Sequence, residues 1–137
     1  MLEITNADGA VETVRARHYL VATGSRPWTP SIPGVEEVDY LTSTTAMELQ
    51  EVPESMIVLG GGYVALEQAQ LFARLGSKVT VLVRSRLLSG EEPEVSKTLL
   101  GVFADEGIQV VRRAAVESVA TDPATGGVMV AATTGAG

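Results

Sequence analysis

The chain contains no cysteine. That absence alone removes disulfides, thiolate metal sites and thiol nucleophiles from what its 137 residues can do by themselves. Histidine is nearly as scarce. His18 is the only one, which excludes a multi-histidine metal site and a normal Ser–His–Asp triad. In the context R-A-R-H-Y-L it reads as a surface or strand-entry residue. Basic excess is also missing: 10 Lys and Arg against 17 Asp and Glu give a net charge of -7, the wrong sign for a nucleic-acid partner. No apolar run approaches the ~20 residues that a membrane span requires. The N-terminus M-L-E-I-T-N-A-D-G lacks the basic and apolar regions of a signal peptide, so a cytoplasmic protein with no membrane partner is expected. Against these absences stands a hydrophobic content of 45%, enough for the core of one ordinary domain or for pieces of two.

The most informative stretch is Ile57 to Glu67, I-V-L-G-G-G-Y-V-A-L-E. An apolar strand-like run meets a glycine turn, and a helical pattern follows at once. The spacing Gly60-x-Gly62-x-x-Ala65 is the dinucleotide-binding fingerprint in its G-x-G-x-x-A form. Gly60 permits the tight turn. Gly62 allows the backbone to approach a pyrophosphate, Ala65 keeps the helix close to the sheet, and the N–H groups at the helix start face the anion. The bland alternative is a glycine turn that joins a strand to a helix without a ligand.

Leu2 to Thr5 and Val11 to Arg17 read as two short strands around the turn Asn6-Ala7-Asp8-Gly9. Tyr19 to Ala22 reads as a short buried strand, and Pro27 to Gly34, with three prolines, as an extended linker anchored by Trp28. Thr42 to Leu49 is expected to be a short helix, with Thr45 and Glu48 spaced as a capping box. The fingerprint helix should run from about Gly62 to Leu75, closed by Gly76, with Ala65, Ala69 and Ala73 on one face. Lys78 to Val83 reads as a buried parallel strand. A helix opened by Glu91, Glu92, Pro93 and Glu94 should end at Gly107; its acids suit the positive end of the dipole better than a metal. Ile108 to Val111 follows as a third strand. Val116 to Val119 and Val128 to Ala132 read as antiparallel strands around the turn Asp122 to Gly127. The expected class is α/β: a Rossmann-type parallel sheet with flanking helices and a small antiparallel β insertion.

Two motifs together give the chain a family likeness: A-T-G-S-R-P (Ala22 to Pro27) with I-P-G (Ile32 to Gly34), and then G-G-G-Y-V-A-L-E. In this it resembles the pyridine nucleotide–disulfide oxidoreductases, flavoproteins with two dinucleotide-binding domains. Y-L-T-S-T-T-A-M-E-L (Tyr40 to Leu49) and A-L-E-Q-A-Q-L-F-A-R-L-G-S-K-V-T-V-L-V-R-S (Ala65 to Ser85) look like the mercuric reductase branch. The resemblance implies that residues 1–38 are the end of an FAD-binding domain with its linker. Residues 39–137 would then be an NAD(P)H-binding domain truncated at its C-terminus. It also implies that the chain is an interior segment of a homodimeric parent. That parent would pass hydride from NADPH to FAD and on to a thiol pair, reducing Hg(II) to Hg(0). The segment alone, lacking every redox thiol, is expected to be inactive. Another disulfide reductase such as a dihydrolipoamide dehydrogenase, and a stand-alone nucleotide-binding module, remain as alternatives.

The same resemblance supplies the candidate site residues; no metal ligand or catalytic group is among them. Gly60, Gly61, Gly62 and Ala65 would carry the pyrophosphate. Tyr63 occupies the position of an aromatic that covers the nicotinamide pocket, or else packs at a domain interface. Glu67, one helical turn on, would lie near the nicotinamide amide. Thr23 and Gly24 resemble a turn that contacts FAD in the parent. Arg84 and Arg86 follow the second strand where an acid would accept hydrogen bonds from the ribose of NAD, and two guanidiniums there suit the 2′-phosphate of NADP. NADP-dependent relatives often have a second arginine where this chain has Gly90, which leaves Arg86 as its stand-in.

Overall fold

A computed structural model describes residues 1–135; Ala136 and Gly137, the end of the expected nucleotide domain, lie outside the described residues. The centre of the molecule is a three-stranded parallel sheet in the order β3–β4–β5, formed by Ser55–Leu59, Lys78–Val83 and Gln109–Arg112. Parallel neighbours need a crossover, and two helices supply it: α2, Tyr63–Arg74, between β3 and β4, and α3, Pro93–Asp105, between β4 and β5. Register pairs Leu59 with Leu82 and Val83 with Arg112, so the C-terminal ends of the three strands lie side by side.

Burial follows the sequence pattern closely. On β4, Val79, Val81 and Val83 are buried, and α2 contributes Leu66, Ala69 and Phe72 at helical spacing. Phe103 of α3, Ile108 and Leu87 close the core. Ala69 is the member of the alanine stripe that is fully buried; its lack of bulk is what lets the helix sit close on the sheet. Gly76 and Gly107, both at positive φ, end α2 and α3 as anticipated.

Two antiparallel hairpins are also present. Leu2–Thr5 (β1) pairs antiparallel with Val11–Val14 (β2), and both strands are exposed along their length. Ala114–Thr121 (β6) pairs with Val128–Thr134 (β7), with a register shift between Val116 and Ser118. The linker docks on the second hairpin. Val119 donates its N–H to the Pro33 carbonyl at 2.9 Å, and the 3₁₀ turn Val35–Glu37 buries Val35 beside it.

Three expectations are corrected. Tyr19–Ala22 is not a buried strand: it pairs with no strand among the described residues, and Leu20 and Val21 are 92% and 81% exposed. An apolar run satisfies the pattern for a strand, but its backbone needs a neighbouring edge to bond. Trp28, expected as the anchor of the linker, is 82% exposed rather than packed. The capping box lies one turn earlier than expected. Helix α1 is Ser43–Ala46, Thr45 N–H donates to Thr42 Oγ1 at 3.2 Å, and Thr42 N–H donates to Thr45 Oγ1 at 2.9 Å. Threonine at the third helical position plays the part usually given to Glu or Gln.

Candidate dinucleotide-binding site

The fingerprint glycines have three different structural roles. Gly60 has φ +123, a conformation that disfavours any side chain, and its N–H donates to the Leu82 carbonyl at 3.0 Å. Gly61 is a packing residue: a Cβ there would lie 2.9 Å from Val83 Cγ1 and 3.3 Å from the Arg86 carbonyl oxygen. Its own carbonyl accepts from Leu88 N–H at 2.7 Å. Gly62 has ordinary extended backbone (φ -84, ψ 171), and a Cβ there would meet no atom of the described residues within 4 Å. The requirement for glycine at Gly62 therefore does not come from this chain's own packing.

Gly62 is the N-cap of α2, and no side chain caps the helix. The N–H groups of the first turn thus lack an intrahelical acceptor. An uncapped helix start beside a glycine with free space over it fits a phosphate group, which would meet backbone N–H donors and the positive end of the dipole. Ala65 lies on the following turn, half-buried, with its Cβ 3.9 Å from the position of a Cβ on Gly60.

Tyr63 and Glu67 are both exposed on α2. The phenol of Tyr63 donates to Glu91 Oε1 on the loop before α3. That hydrogen bond, with burial and the charge of Glu91 acting in the same direction, holds the phenol above its ordinary pKa. Glu67, one turn away, has no such link. Thr23 and Gly24 lie in the irregular segment before the linker, exposed, with Gly24 at φ +79; among the described residues no hydrogen bond links them to the fingerprint.

At the C-terminal edge of the sheet an open cavity of about 750 Å³ is lined by Arg84, Ser85, Arg86, Ser89, Arg112 and Arg113. Four of the chain's 10 basic residues meet here, in a protein of net charge -7. Among the described residues no carboxylate lines the cavity, and neither Arg84 nor Arg112 forms an ion pair. Arg86 is used differently from Arg84. Its Nη2 donates to the Ser89 carbonyl at 3.0 Å and to the Glu91 carbonyl at 2.7 Å, stapling the loop, while its buried Nη1 has no hydrogen-bond partner among the described residues. Sequence reasoning did not single out Arg112. The signal was present in the parallel strand pattern, which brings the end of β5 beside the end of β4.

Residues 2–136 match the pyridine nucleotide-disulphide oxidoreductase family. A mercuric reductase of Streptomyces lividans is 60% identical over 122 residues, 89% of this chain and 26% of that protein. The mercuric reductase of Bacillus cereus is 44% identical over 80% of this chain and 17% of its own length. The chain thus spans about a quarter or less of these curated relatives. Among solved structures, the Cu(II) complex of the HOCl-induced flavoprotein disulfide reductase RclA from Escherichia coli superposes with a TM-score of 0.73 and 32% identity, over 80% of this chain and 26% of that one. An engineered water-forming NADPH oxidase shares the fold at a TM-score of 0.69 and 22% identity, over 91% of this chain and 29% of that one.

Proposed function

Because the chain belongs to the pyridine nucleotide–disulphide oxidoreductase family, we propose that it is the NADPH-binding segment of a flavoprotein that reduces Hg(II) to Hg(0). The observation that carries the nucleotide part is the open space over Gly62 at an uncapped helix start. The 60% identity with a mercuric reductase supports the substrate. The pyrophosphate would lie over Gly60, Gly61, Gly62 and Ala65, on the N–H groups of the first turn of α2. Arg84, exposed and with no acid beside it in the cavity among the described residues, would bind the 2′-phosphate, with Arg86 adding charge while it holds the loop. Tyr63 and Glu67, on the exposed start of the same helix, would lie toward the nicotinamide end; Thr23 and Gly24 would serve FAD. A nucleotide held by these residues would supply a hydride as reductant, and reduction of Hg(II) at its expense would balance as NADP⁺, one proton and Hg(0). The segment has no cysteine, so its share of the work is to hold and orient the nucleotide. The remainder of the protein would supply the thiols, a cytoplasmic setting suits them, and a homodimer is the expected assembly.

The test is NADPH-dependent release of Hg(0) vapour by the full-length flavoprotein, with disulfide reduction measured in parallel. Mercury turnover with little disulfide turnover supports this reading. The reverse result transfers the substrate to a disulfide, the reading favoured by the likeness to RclA. No nucleotide oxidation with either substrate overturns both.

A further inference from the structure

The second cation expected at Gly90 is missing, and Arg86 spends its Nη2 on two loop carbonyls. We infer that Arg112, at the end of the neighbouring strand, supplies the second direct charge to a 2′-phosphate held by Arg84. This deepens the nucleotide reading above and rests on it.

The two residues reach one cavity because of the sheet register. Val83 pairs with Arg112, and Arg84 is the next residue past the end of β4, so both side chains start from the same edge and line the same opening. Both are exposed, and neither is committed to an acid among the described residues. A dianionic phosphate calls for more than one cation, and two guanidiniums from adjacent strands can approach it from two sides. Arg113 is less suited. Its backbone is left-handed at φ +56, its carbonyl accepts from Gly135 N–H at 3.1 Å, and its side chain lies against Gly135 and has interactions of its own. Ser85 and Ser89 line the same cavity and offer hydroxyls that need no charge.

The discriminating ligands are adenosine 2′,5′-bisphosphate and adenosine 5′-monophosphate, which differ only in the 2′-phosphate. Their affinities for the full-length holoprotein would be measured by calorimetry for the natural protein, Arg84→Gln, Arg112→Gln and Arg112→Lys. Arg112→Gln should weaken the bisphosphate about tenfold and leave the monophosphate within about twofold, since a charge-assisted hydrogen bond is lost only for the former. Arg112→Lys should retain most of the preference, and rising salt should narrow the gap between the natural protein and Arg112→Gln. If Arg84→Gln abolishes the preference while Arg112→Gln keeps it, the inference about Arg112 fails and the nucleotide reading stands. If the natural protein itself shows no preference for the bisphosphate, both fail. Equal loss of both ligands in Arg112→Gln, with an unchanged melting temperature, also overturns the inference.

Discussion

Gly61 and Gly62 are adjacent in sequence and are glycine for opposite reasons. A methyl group on Gly61 would press to 2.9 Å on Val83, whereas one on Gly62 would project into space that no described residue fills. Stability and ligand binding should therefore separate at this pair. Gly61→Ala should destabilise the fold by about 1–3 kcal/mol through overpacking against β4. Gly62→Ala, at an unstrained φ, should leave the denaturation midpoint nearly unchanged while weakening dinucleotide binding; Gly62→Val should abolish it. Chemical denaturation and nucleotide titration of the full-length variants check both halves. A large stability loss in Gly62→Ala would return that glycine to a purely structural role.

Gly34 makes the second close approach. It has φ +84, and a Cβ there would lie 2.1 Å from the Val119 carbonyl oxygen of β6, a distance that only backbone movement could relieve. Gly34→Ala should cost about 2–4 kcal/mol, from left-handed strain together with overpacking. It should also loosen the linker, raising hydrogen exchange at Val119 N–H, whose acceptor is the Pro33 carbonyl. Unchanged stability and exchange would show that the linker does not need this contact.

The ends of α2 and α3 are tied by charge. Arg74 Nη2 lies 2.6 Å from Glu106 Oε1, and Gln70 donates to Glu106 Oε2 at 2.9 Å. The Arg74 guanidinium, by hydrogen bonding first and by charge as well, and Gln70 hold the Glu106 carboxyl below its ordinary pKa against the opposing effect of burial. A carboxylate whose folded pKa is depressed contributes stability above its unfolded pKa and loses it as pH falls through the folded value. The melting temperature should therefore fall in acid more steeply for the natural protein than for Glu106→Gln, and high salt should reduce the difference. Identical pH profiles would remove the ion pair from the account.

The fold was legible where one segment carries its own signal. The strand Lys78–Val83, the helix after Gly62 and the closing glycines Gly76 and Gly107 all follow from period, turn chemistry and capping. Tyr19–Ala22 was misread because local apolarity cannot reveal whether a sheet edge is there to receive it. The site was legible in part for the same reason. Glycine spacing marks the turn, and Arg84 follows from strand order. The grouping of Arg112 with Arg84 depends on the register between β4 and β5. The Tyr63–Glu91 hydrogen bond and the two carbonyl contacts of Arg86 depend on how the loop before α3 folds back. Those are tertiary facts, absent from any linear spacing.

The central claim, that this segment holds NADPH through its fingerprint turn and a 2′-phosphate contact from Arg84, is tested most directly by kcat/KM for NADPH and NADH in the full-length Arg84→Glu variant. A charge-assisted contact to phosphate is worth about 1.5–3 kcal/mol, so NADPH efficiency should fall roughly ten- to a hundredfold. NADH, lacking that phosphate, should be unaffected or improved by the carboxylate now facing its ribose hydroxyls. Equal losses for the two nucleotides would contradict the account and make Arg84 a structural residue.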